Sequence, residues 1–142
     1  MKKPEALLLD THAWIWIIED NPCLNATARK AIQKASNAHL LRLSATSVFE
    51  IAMLMRKKRY LAQGVTLEEW VRNALLIPGL SVFPIDARVA LQSQMIGNDF
   101  HPDPADRFIV ATAQIEQCRL ATADSAILQF AKKIHLPVLQ LG

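Results

Sequence analysis

Leu7-Leu8-Leu9-Asp10-Thr11-His12-Ala13-Trp14 runs from three consecutive leucines straight into a carboxylate. A short run that is apolar at every position, without alternation, reads as a parallel strand buried on both faces. Residues His12 to Ile18 then read as a short helix closed by Glu19-Asp20-Asn21-Pro22. The chain begins as strand then helix, and the same alternation can be followed to its end.

The helical spacing of Ala28, Ala31, Ile32 and Ala35 predicts a helix from Asn25 to Ala35, followed by a strand over His39 to Leu43 and a helix from Thr46 to about Lys58. Thr66-Leu67-Glu68-Glu69 fits a capping box, opening a helix that reaches Leu76 and stops before Pro78-Gly79. Leu80 to Phe83 reads as a strand. Asp86 caps a helix to about Ile96, and Asp103-Pro104 pairs an N-cap with Pro at the first helical position, for a helix to about Glu116. Arg119 to Thr122 is a strand, Asp124 opens a helix to Lys132 or Lys133, and Leu136 to Leu139 is a terminal edge strand, where Pro137 is tolerated. This order predicts an α/β sandwich around a mostly parallel sheet of about four or five strands.

Composition narrows the class. The 142 residues suit one domain, and a chain that is 51% hydrophobic and 20% charged, with four Gly and seven Pro, is neither disordered nor a low-complexity repeat. Glu5 and Asp10 interrupt the first apolar run before an export signal can form, and no stretch approaches the roughly 18 apolar residues of a membrane span. The expectation is a soluble cytoplasmic protein. Cys23 and Cys118 lack C-x-x-C spacing and read as two small buried residues in a reducing compartment. Net charge is +3, of which Arg56-Lys57-Lys58-Arg59 contributes +4, so the basicity is local. That run is either a phosphate-contacting patch or a solvated helix end.

Four acids stand out. Asp10 follows the buried leucines, and a desolvated carboxylate needs a partner, a cation or the N–H groups of the helix it caps. Glu50 shares a helical face with Met53 and Leu54, although Ser47-Val48-Phe49-Glu50 also matches a capping box. Asp106 has Ile109, Val110 and Ala113 on its own stripe, whereas Asp103 precedes Pro104 and reads as the cap. Asp124 lies at another strand-to-helix junction, where an N-cap is the plainer role. A parallel sheet draws all four toward one edge, where repulsion raises their pKa values unless divalent cations neutralise them. Oxygen donors without His or Cys partners select Mg²⁺ or Mn²⁺ over zinc. His12, near Asp10, reads as a helix-start or hydrogen-bonded histidine rather than a metal ligand, and His101 and His135 lack ligand spacing.

Asp10-Thr11-His12, Ser47-Val48-Phe49-Glu50-Ile51, the run from Pro104 to Ala113 and Leu120-Ala121-Thr122-Ala123-Asp124 together resemble the four motifs of PIN-domain ribonucleases, most of all VapC-type toxins of bacterial toxin–antitoxin modules. The resemblance spans nearly the whole chain. It implies one PIN-like three-layer α/β/α domain over residues 1–142, Mg²⁺- or Mn²⁺-dependent cleavage of RNA, a homodimer, and a cognate antitoxin that blocks the site. Asp10, Glu50, Asp106 and Asp124 would be its catalytic and metal-holding acids, the last at a position where VapC-like sequences vary.

On that reading Thr11, Thr46 and Ser47 hold a carboxylate or a water beside the metal, unless they are simply caps. Arg56, Lys57, Lys58 and Arg59 gain an RNA to attract, and Arg107 either touches phosphate or pairs with an acid. An antitoxin Arg or Lys inserted toward Asp10, Glu50 and Asp106 is the expected means of inhibition. A phosphatase with an Asp nucleophile would need a second acid where His12 stands, and a receiver domain would need a Lys after a late strand, whereas Lys132 and Lys133 lie in a helix. A nonenzymatic binding module on the same fold is the alternative from another class.

Overall fold

The computed structural model describes residues 5–57, 64–97, 100 and 103–142. Strand β1 (Leu7–Leu9) leads into α1 (Thr11–Glu19), and α2 (Ala26–Asn37) returns to β2 (Leu41–Ser44), which passes directly into α3 (Ala45–Arg56). Then come α4 (Leu67–Ala74), β3 (Leu80–Phe83), α5 (Ala87–Met95), α6 (Pro104–Glu116), β4 (Arg119–Thr122), α7 (Ser125–Lys133) and β5 (Val138–Gln140). Each strand and helix expected from the sequence is present, with ends moved by a few residues. At β2 the move has a clear cause: His39 takes a left-handed φ of 58°, which turns the chain and delays the strand to Leu41.

The five strands form a sheet of order β3-β2-β1-β4-β5, and every pairing is parallel. The leucines of β1 lie at its centre and are buried on both faces, each burial stabilising the fold by roughly 2 kcal/mol. Leu7 and Leu9 join Trp14, Ile32, Ile51, Met55 and Ala74, so α1 to α4 cover one face. Leu8 joins Val89, Ile109, Ile127 and Phe130, so α5 to α7 cover the other. The result is the three-layer sandwich. Gly79, at φ 78°, passes so close to the backbone of Ser36 that any Cβ there would strike it.

This strand order locates a site. From β1 the chain winds outward through β2 and β3, then restarts on the other side of β1 with β4 and β5. Ligands of open α/β sheets bind beyond the carboxyl ends of the strands at such a reversal, here between β1 and β4. Helices α1, α3 and α7 begin at that edge because each follows a strand directly. Helix α6 begins there too, since its far end feeds the start of β4.

Candidate active site

Asp10 is the residue on which β1 becomes α1, and its carboxylate is 4% exposed. Its Oδ1 accepts the Ala13 N–H at 2.7 Å, so it does cap the helix. Asp124 does the same for α7, accepting the Ile127 N–H at 3.0 Å. Capping does not exhaust a carboxylate, which has about four lone-pair sites. The two acids are also joined. The Thr122 hydroxyl accepts the Asp124 N–H at 3.0 Å and hydrogen-bonds the Asp10 side chain, which leaves its proton directed to the Asp10 carboxylate. Thr122 is fully buried at the end of β4. Sequence reasoning gave it no role, because a threonine in a strand reads as an ordinary β-former; its position two residues before Asp124 was the available signal.

Glu50 reaches the same edge from α3. Thr11 Oγ1 donates to Glu50 Oε1 at 2.6 Å, and Ser47 Oγ lies 2.8 Å from Thr11 Oγ1. Since Thr11 gives its proton to Glu50, Ser47 donates to Thr11, and a chain of two hydroxyls holds the carboxylate from α1. The capping-box alternative for Ser47 and Glu50 does not form: Ser44 caps α3, accepting the Thr46 N–H at 3.1 Å. Thr46 therefore belongs to the helix cap, while Thr11 and Ser47 position the acid.

Asp106 lies in the first turn of α6, half-buried, while Asp103 caps that helix through the Ala105 N–H at 2.9 Å. Burial pushes the Asp106 carboxyl up to about 7, helped by the negative charges of Asp103, Asp124, Glu50 and Asp10. Those four charges lie within electrostatic reach of Asp106, three of them being the acids expected from the sequence. Asp103, assigned only to structure, adds its charge to the cluster as well. Burial also raises Asp10, against the Thr122 and Ala13 hydrogen bonds, and raises Glu50, against the Thr11 hydrogen bond. Exposed His12 favours the ionised forms of both.

Arg107 is a correction to the RNA-binding expectation. Its side chain is buried, with Nε donating to the Ser93 carbonyl at 2.8 Å and one terminal nitrogen to the Gly97 carbonyl at 3.1 Å. The guanidinium ties α6 to the end of α5, where carbonyls lack helical partners, and so faces neither phosphate nor acid. Arg56 and Lys57 are exposed at the far end of α3; Lys58 and Arg59 lie outside the described residues, as does His101.

The donor set is all oxygen, the chemistry that suits a hard divalent cation. Among the described residues no Lys or Arg forms an ion pair with Asp10, Glu50 or Asp124. Among the same residues, no three His, Cys, Asp or Glu side chains are drawn close enough to form a ready-made metal cage. Hollows of about 290 Å³ beside Cys118 and His135, and of about 410 Å³ beside Trp70 and Leu76, are lined by none of the acids.

An all-parallel sandwich with acids gathered at its strand-order reversal is the arrangement of the PIN domain, and the model of that family matches residues 7–133. The chain belongs to the PIN-domain family. Within it the chain is similar to Ribonuclease VapC22 of Mycobacterium tuberculosis, with 31% identity over 118 residues, or 83% of this chain and 86% of that one. VapBC2 from Rickettsia felis, solved with a DNA fragment from its promoter, has a TM-score of 0.70 at 12% identity, covering 96% of this chain and 98% of its own. DNA-bound VapBC from Salmonella typhimurium has a TM-score of 0.68 at 17% identity over the same shares. At those identities the two structures attest the fold. Among the described residues no helix is long and apolar enough to cross a membrane.

Proposed function

We propose that this protein is a VapC-type endoribonuclease, the toxin of a toxin–antitoxin pair, requiring Mg²⁺ or Mn²⁺. The observation that carries the reading is the shared charge of Asp10, Glu50, Asp106 and Asp124 at the β1/β4 reversal. Those four would hold the cation, which when bound supplies acidity to water and positive charge to the phosphate under attack. The chain's own part is positional. Thr122 fixes Asp10 relative to Asp124, the Ser47–Thr11 hydroxyls fix Glu50, and α6 presents Asp106 from the opposite layer. An Asp106 carboxyl held up to about 7 is also able to take or give a proton near neutrality when no cation is beside it.

Similarity to VapC22 and to VapBC assemblies supports an antitoxin as partner, and a homodimer is the working form proposed with it. An antitoxin that directs an Arg or Lys among these acids would compete with the cation for them. The test is cleavage of single-stranded RNA by protein purified free of any partner. Cleavage with Mn²⁺ or Mg²⁺, abolished by EDTA, is the expected result; no cleavage with either ion would remove the reading.

A further inference from the structure

Phe49 is the anomaly the acid site leaves over. It adjoins Glu50, yet 66% of it is exposed, while Thr46, Ser47, Ile51 and Met55 of the same helix are buried. Residues at i, i+4 and i+7 of a helix share a face. Phe49, half-buried Met53 and exposed Arg56 therefore form one stripe along α3, with exposed Lys57 beside its end. The stripe extends about 10 Å from the acids to the cations. In order it presents a flat apolar ring, a flexible thioether and a positive charge, with the Lys57 charge beside its end and the Glu50 carboxylate next to its start.

We propose that this stripe is the track for one strand of RNA, with Phe49 the platform on which a base beside the cleaved phosphate stacks and Arg56 and Lys57 meeting phosphates further along. The inference rests on the ribonuclease reading. The acids repel a polyanion whenever cation is scarce, so affinity for the strand must come from neighbours of the site. An exposed ring followed by cations suits a chain of flat bases joined by phosphates, because every base has a face to stack and every phosphate a charge to neutralise. A second protein chain would need a far larger apolar patch than a ring and a thioether beside two exposed cations. Stacking is indifferent to base identity, so Phe49 governs how tightly RNA is held and not which sequence is cut.

Binding of a short oligoadenylate is compared by fluorescence anisotropy, in EDTA, with binding of an abasic ribose-phosphate chain of equal length. The wild type is expected to hold the oligoadenylate roughly tenfold more tightly, a preference that Phe49→Leu removes and Phe49→Trp keeps. In Mn²⁺ Phe49→Leu should raise KM while leaving kcat within about twofold. Arg56→Gln should weaken both chains equally and flatten the log–log salt slope by about 0.7. Equal binding of the two chains by the wild type, or a preference that survives Phe49→Leu, overturns the proposal. So does a Phe49→Leu protein that changes its mass in solution but not its RNA binding, which would make the ring a protein-docking residue. Should the wild type cut no RNA, the ribonuclease reading falls, and the base preference in EDTA still decides whether Phe49 stacks.

Discussion

At the carboxyl end of the sheet, β1, β2 and β4 hand over to their helices through Asp10, Ser44 and Asp124, and Asp86 opens α5 after β3. At the amino end, helices return to strands through His39, Gln117 and His135, all in the left-handed region. The turns at both ends are short, but they solve different problems. A capping carboxylate satisfies a helix N–H with one lone pair and keeps others for chemistry, whereas a left-handed residue satisfies only the path of the backbone. Function therefore accumulates at the end where folding already calls for acids, and among those caps only the ones flanking the β1/β4 reversal face one another.

The sharpest way to break this contrast is at the acids of the reversal. Asp10→Asn and Asp106→Asn should each lower RNA cleavage by about a thousandfold or more, since the amide keeps volume and, at Asp10, capping ability, but removes charge. Their melting temperatures in EDTA should hold or rise as repulsion is relieved. Wild-type cleavage rates, or unfolded variants, would place these residues with the structural caps.

Thr122→Val comes next. It keeps the shape of the strand end and removes the hydroxyl between Asp10 and Asp124, so cleavage should fall roughly ten- to a hundredfold while the fold persists. An unchanged rate, measured under the same Mn²⁺ conditions, would show that the two acids need no common anchor.

The contrast extends to pH. Asp106 is held up to about 7 from an ordinary value of 3.8, so between those values the folded chain keeps a proton that the unfolded chain has lost. That contribution to stability is fully present on the acid side and is lost as pH rises through about 7. Melting temperature in EDTA should decline over this window, Asp106→Asn should flatten the decline, and Mn²⁺ should oppose it. A wild-type profile that matches the Asn variant would contradict the gathered-charge account.

The smallest effects belong to the amino end. Glycine at His39, Gln117 or His135 relieves left-handed strain but loosens the unfolded chain, so stability should move by less than about 1 kcal/mol and cleavage should not change. Urea denaturation and an RNase assay check both halves of that statement.

The same contrast explains what the sequence made legible. Asp10, Asp86, Asp103 and Asp124 announce helix starts because capping is a local event, and the apolar triplet announces the central strand. His39 in a left-handed turn is hidden, since no glycine marks it. Arg107 was open to a phosphate role because nothing local reveals that α5 carbonyls close over it. The Ser47–Glu50 spacing imitates a cap because the true cap, Ser44, stands three residues earlier, and only the approach of α1 shows that Thr11 is the partner of Glu50. Long-range hydroxyl contacts of this kind have no period to read.

The most direct test is Mn²⁺ binding by calorimetry at neutral pH to the wild type, Asp106→Asn and Asp86→Asn. Asp86 caps α5 beside the sheet-edge strand β3, away from the β1/β4 reversal, and asparagine is as good a cap. The account predicts matching Mn²⁺ affinity for the wild type and Asp86→Asn and a loss for Asp106→Asn. A wild type that binds no Mn²⁺, or an Asp106→Asn protein that binds it as well as the wild type, would contradict the claim that the acids at the reversal are gathered for a cation.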